Sequence, residues 1–206
     1  DPRPDPYFWL RDKPNPEVAA YLEAENAYTD AVLKPTEPLQ KALYDEMLSH
    51  VKETDLSVPY RDGGFLYYYR TEKGKQYRIL CRKPGHLEAA EEIYLDENEL
   101  AAGLDYFDLG DLDISTDGKL VAYATDTDGS ETYTLRVKDL GTGALLPDTI
   151  QDIESVVWAT TDRHFFYTVR DAAKRPWRVY RHTLGADPAT DALVYELVAR
   201  LPEIMK

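Results

Sequence analysis

The sequence predicts a mainly β fold behind an N-terminal α-helical arm, and three observations carry that prediction. Apolar residues recur at helical spacing through the first 57 positions. From about Val58 onward, short runs of Tyr, Phe, Val and Leu alternate with turns containing Asp-Gly, Lys-Gly, Thr-Gly and Pro-Gly. A repeat of 44 positions then runs through this second part.

The first helix begins where Asn15 can cap it, Pro16 suits the first helical position and Glu17 complements the dipole. Val18, Tyr21, Leu22, Tyr28 and Val32 form its apolar face until Pro35 stops the run. A second helix follows Pro38, with Leu39, Leu43, Met47 and Val51 on one stripe. Neither helix is apolar all round, so each needs a surface to pack on. Upstream, Trp9 is expected to anchor the arm by burial.

Strands are expected at 65–70, 77–83, 92–95, 120–125, 132–139, 156–159, 165–168 and 178–183. The acidic stretches 89–92 and 96–99 read as solvated faces. In Tyr67-Tyr68-Tyr69, successive rings alternate faces, so one or two pack and another reaches solvent. Trp158 and Trp177 read as core between repeats.

The repeat places Ile114 on Trp158, Tyr123 on Tyr167, Leu140 on Leu184 and Gly141 on Gly185, with a looser copy from Tyr60. A period of about 40–45 residues with four short strands is that of a β-propeller blade. Blades are expected at roughly 58–100, 108–150 and 152–200, behind an arm at 1–57. The 206 residues leave about 3.4 repeats after the arm, fewer than the roughly four that close a ring. The expectation is an incomplete β-propeller of about three four-stranded antiparallel blades.

Charge narrows the partners. With 38 acidic against 24 basic side chains, the net charge is -14, which argues against binding nucleic acid. No apolar run reaches the roughly 18 residues that cross a bilayer as a helix. The single cysteine, Cys81, fits a reducing compartment and reads as a buried small hydrophobe. A cytoplasmic location is expected. The start, Asp1-Pro2-Arg3-Pro4, looks cut and leaves a periplasmic one open.

The search for chemistry is mostly negative. No G-x-S-x-G elbow and no phosphate loop is present. His50, His86, His164 and His182 lack the spacing of a metal or catalytic motif, and each reads as a surface or packing residue. Aligning Gly129 with the sixth position of a calcium loop puts Ala124 and Leu135 at the obligatory ligand positions, so residues 126–131 read as a hairpin turn. No catalytic residue, cofactor site or metal site is assigned.

Several motifs do resemble a family. Asp5-Pro6-Tyr7-Phe8-Trp9-Leu10-Arg11-Asp12 and Tyr21-Leu22-Glu23-Ala24-Glu25-Asn26 resemble the opening of the prolyl oligopeptidase family of serine peptidases. Ser57-Val58-Pro59-Tyr60-Arg61-Asp62-Gly63-Gly64 and Gly74-Lys75-Gln76-Tyr77 look like its oligopeptidase B branch. So do Tyr133-Thr134-Leu135-Arg136-Val137-Lys138-Asp139-Leu140 and Ser155-Val156-Val157-Trp158. The likeness extends from Asp5 to about Tyr195, while the tail from Leu197 departs from it and reads as a cloning boundary.

The resemblance implies an arm wrapping a catalytic α/β-hydrolase domain that a seven-bladed propeller caps. It also implies that the catalytic Ser, Asp and His belong to a C-terminal portion absent from this chain, and that the parent cleaves short basic peptides after Arg or Lys. Two alternatives stand beside it: a non-catalytic propeller that binds protein partners, and the post-proline branch of the same family. Unpaired blade faces and exposed strand edges further predict that the isolated chain self-associates or is marginally stable.

Overall fold

Asn15 caps the first helix, α1 (Pro16–Leu33), by accepting a hydrogen bond from the Glu17 N–H at 3.0 Å. A single 3-10 turn around Pro35, Lys34–Thr36, separates it from α2 (Glu37–Ser49), and His50 closes α2 as its C-cap. The computed structural model describes residues 3–197, and the chain divides into two compact units, Asp1–Lys52 and Glu53–Lys206. Within the first unit α1 buries only Val18 and α2 buries nothing. Leu39, Leu43, Met47 and Val51 stand 60%, 47%, 63% and 60% exposed, so the expected stripe has no partner among the described residues. Trp9 meets Tyr21 edge-on at 5.5 Å but stays 37% exposed. It rests on one ring instead of anchoring the arm by burial.

The second unit is a stack of antiparallel sheets. In the first blade, β1 (Asp55–Leu56) and β2 (Tyr60–Asp62) together make one interrupted strand along β3 (Phe65–Thr71). Pro59, which has no N–H to give, falls in the interruption. β4 (Ile79–Pro84) and β5 (Glu92–Asp96) complete the blade. A short helix, α3 (Glu97–Leu100), follows with Asp96 as its cap.

The remaining strands form one seven-stranded sheet: β6 (Asp108–Ile114), β7 (Leu120–Asp126), β8 (Tyr133–Asp139), β9 (Leu145–Trp158), β10 (His164–Arg170), β11 (Pro176–Thr183) and β12 (Ala192–Glu196). The 14-residue β9 serves two blades, pairing with β8 over its first part and with β10 over its last. Asp152, at φ 59°, marks the bend between the two parts.

Burial shows why the blades stack. Side chains alternate along β7, so Val121 and Tyr123 turn toward the first blade while Ala122 and Ala124 turn toward the third. Tyr67, Leu80, Tyr94 and Leu95 meet the former, and Val156, Trp158, Phe165 and Tyr167 meet the latter. Each such large side chain gives about 1.5–3 kcal/mol on burial. The repeat seen in the sequence is therefore the repeat of these two seams, and the fold is mainly β with a partial propeller.

Several expectations are corrected. β1, β2, β6, β12 and the first part of β9 are absent from the strands expected above. The acidic stretches are not simply solvated: Glu91 accepts from Tyr68 and Arg70, Glu92 from Arg82, and Glu97 is buried beside Arg78. Trp177 lies outside the seam between blades, with the Arg178 guanidinium 3.6 Å over its ring and its indole N–H on the Arg170 carbonyl. The tail beyond Leu197, read as a cloning boundary, and the end of the third blade at 200 lie outside the described residues.

Candidate functional site

The first strands of the second and third blades are laced by carboxylates. Asp111 accepts the Val156 N–H at 2.8 Å, and Asp113 accepts the Trp158 N–H at 2.7 Å while the Trp158 indole donates back to the Asp113 carbonyl. Alternate N–H groups on that edge of β9 would otherwise go unpaired. Beside this lacing opens a cleft of about 280 Å³ lined by Asp62, Phe65, Asp113, Ser115, Asp117 and Trp158.

Its electrostatics are anionic but largely self-satisfied. Burial pushes the Asp113 carboxyl above its ordinary value and nearby Asp111 and Asp62 add to that, against the pull of the Trp158 and Ile114 N–H groups. The Lys119 ammonium, followed by its N–H and the Ser115 hydroxyl, holds Asp117 below its ordinary value. Ser115 is itself spent, donating to Asp117 and accepting from the Leu120 N–H. The cleft suits a cation and offers no nucleophile paired with a base.

The histidines go four ways. His50 caps α2, His86 is exposed 3.3 Å from Glu88, and His164 lies 3.4 Å from the Thr161 hydroxyl. His182 is wholly buried, with Asp148 2.9 Å from Nε2 and Asp191 2.8 Å from Nδ1. Asp148 also accepts the Gly185 N–H, and Asp191 accepts the Tyr167 hydroxyl. This cluster joins β9, β10, β11 and the connection before β12, closed to solvent, and its hydroxyl, that of Tyr167, is already given to Asp191. Its partners sit 34 and 9 positions from His182, and no sequence pattern marked them.

The other expected features fall into structural roles. Tyr67 packs in the seam, Tyr68 packs on the opposite face with Ile79 and Cys81, and Tyr69 is 41% exposed. Cys81 is buried, and desolvation, with Glu91 next, pushes its thiol up to about 11. Residues 126–131 form a turn around the Asp126 carboxylate, which accepts the N–H groups of Asp128, Gly129 and Glu131. Among the described residues no group of three or more His, Cys, Asp or Glu is placed to hold a metal ion, and no helix is long and apolar enough to cross a membrane.

Comparison with known proteins places this geometry. The family model described as prolyl oligopeptidase, N-terminal β-propeller domain, matches residues 1–201. The chain is 46% identical to dipeptidyl aminopeptidase BI of Pseudoxanthomonas mexicana, across 94% of this chain and 30% of that protein. It is 38% identical to protease 2 of Moraxella lacunata, again across 95% of this chain and 30% of the relative. The chain therefore spans about 30% of the length of these curated relatives. Among solved structures it is similar to oligopeptidase B from Leishmania major, at a TM-score of 0.84 and 33% identity, covering 95% of this chain and 28% of that one. A matching domain, blade-forming repeats and collinear motifs agree: this chain belongs to the prolyl oligopeptidase family and aligns with its N-terminal β-propeller domain as a partial propeller.

Proposed function

We propose that this chain is the arm and first three blades of an oligopeptidase B-like serine endopeptidase that hydrolyses short peptides after Arg or Lys in the cytoplasm. In this reading the chain supplies no member of the catalytic triad. The nucleophile, its His base and the oxyanion hole belong to an α/β-hydrolase domain, against which the open stripes of α1 and α2 pack. The blades restrict entry to small peptides. The observation that carries the reading is the run of oligopeptidase B-like motifs, Ser57–Gly64 and Tyr133–Leu140 above all, on a chain 33% identical to an oligopeptidase B. The excess of acids supports it by favouring approach of cationic peptides.

A second reading, removal of dipeptides from a free N-terminus, is favoured by the 46% identity to a dipeptidyl aminopeptidase. Full-length protein is assayed on N-blocked arginyl, free dipeptidyl and N-blocked prolyl substrates. Fastest turnover of the blocked arginyl substrate supports the first reading, and hydrolysis requiring a free amine two residues from the cut supports the second. Preference for the prolyl substrate overturns both. The 206-residue chain alone is expected to show no turnover, and activity that survives repurification would refute the division of labour.

A further inference from the structure

The seam between the first and second blades holds an arginine that, among the described residues, has no acid partner. Arg136 lies on β8, directly opposite Tyr123 on β7, and its side chain is half-buried. The half-buried Arg70, Arg170 and Arg178 have the carboxylates of Glu91, Glu154 and Glu196, and the buried Arg82 has that of Glu92. Among the described residues Arg136 has no such ion pair. Among the described residues its side chain makes one hydrogen bond, from Nη1 to the Thr125 hydroxyl at 3.2 Å.

That guanidinium lines a cleft of about 350 Å³ whose other walls are Leu100, Leu104, Phe107, Tyr123 and Leu145, with Thr125 and Thr127 at one side. Leu104 and Leu145 are exposed and form its rim, while Phe107 and Tyr123 are buried and form its floor. No acidic side chain lines it. Asp126, between the lining residues Thr125 and Thr127, is buried and occupied by three N–H groups of its own turn. In a chain with 14 more acids than bases, this is an electropositive group left open at the base of an apolar pocket.

We propose that this cleft binds a small monocarboxylate with an apolar body, the carboxylate taken by Arg136 and the body by the Leu100–Leu104–Phe107–Leu145 wall. A guanidinium presents a fork of donors that fits a carboxylate in two parallel hydrogen bonds, and only one of those donors is in use. The size lies at the small end of ligand pockets, enough for one aromatic or branched residue with its carboxyl group. The lining fits the C-terminal residue of a short apolar peptide and a plain arylalkanoate alike. The site stands apart from the Asp113 cleft and does not depend on which bond the parent peptidase cleaves.

Calorimetric titration of the full-length protein with N-acetyl-phenylalanine, N-acetyl-phenylalaninamide and 3-phenylpropionate tests it. The acid is expected to bind saturably with a Kd on the order of 1 mM, and the amide at least about tenfold more weakly. Tighter binding of N-acetyl-phenylalanine than of phenylpropionate identifies a peptide end, and equal binding identifies a carboxylate alone. Arg136→Gln is expected to abolish the preference of acid over amide. Because Arg136 also packs in the seam, Leu145→Glu at the exposed rim supplies a second variant, placing a carboxylate that competes for the guanidinium and weakens acid binding at least about tenfold. Equal affinity for acid and amide, acid binding unchanged in folded Arg136→Gln or Leu145→Glu, or no saturable binding of either acid would overturn the proposal.

Discussion

Asp126 is 1% exposed, yet its carboxyl lies below the ordinary carboxylate value. Burial alone pushes it upward, and the N–H groups of Asp128, Glu131 and Gly129 outweigh that push by hydrogen-bonding the ionised form. A carboxyl whose folded value is depressed stabilises the protein above its unfolded value near pH 4, and that stabilisation fades as pH falls through the folded value. Asp126→Ala should therefore cost about 1–3 kcal/mol at pH 7, and should flatten the acid limb of a melting-temperature profile from about pH 5 downward. An unchanged acid limb would assign the turn's stability to its glycine. The same loop shows how far sequence reaches at this scale. Gly129, at φ 78°, announced a turn, but that Asp126 would be its buried centre depended on β7 being covered on both faces. Gly118 carries a similar lesson: at φ 72°, with a Cβ that would come 2.9 Å from the Phe65 ring, it is held by the neighbouring blade as well as by its own turn.

At the scale of elements, strands with Tyr, Val and Phe at alternate positions were legible, and β6, rich in Asp and serving another blade, was not. β6 reads Asp-Leu-Gly-Asp-Leu-Asp-Ile, a composition that resembles a turn until Asp111 and Asp113 are seen to serve the backbone of β9. The first part of β9 contains Pro147, which the ladder tolerates only because the pairing with β8 shifts register between Arg136 and Lys138. Arg82 is the clearest element-to-element tie. From β4 it donates to Glu92 at 2.8 Å, reaches the Gly118 carbonyl of the second blade at 2.5 Å and lies 4.0 Å over the Phe65 ring. Removing it leaves a buried carbonyl and a carboxylate without their donor. Arg82→Met is expected to lower the unfolding free energy by about 2–4 kcal/mol. Arg82→Lys should recover less than half of that, since an ammonium cannot span both acceptors in one plane. Urea unfolding at constant m-value measures both, and a loss below about 1 kcal/mol in Arg82→Met would show the seam to be held by its apolar core alone.

For the whole chain, two forces act in opposite directions on association. A net charge of -14 makes copies repel one another, and the open stripe Leu39, Leu43, Met47 and Val51 offers them an apolar surface to share. Sequence periodicity marked that stripe but could not say what covers it, because periodicity fixes an apolar face and not its partner. Salt separates the two forces, since ions screen repulsion between exposed charges and leave apolar contact intact. The 206-residue chain is therefore expected to self-associate, and to do so more strongly as sodium chloride rises from about 0.05 M, where the Debye length exceeds 10 Å, to about 0.5 M. Leu43→Glu with Met47→Glu places two charges mid-stripe on exposed positions of α2, so the fold of that helix should persist while association falls away. Multi-angle light scattering across a hundredfold concentration range reads the outcome. A monomer at every concentration and salt, or a double variant that associates as strongly as the parent, would show that the stripe is not the contact surface and would move attention to the open blade faces.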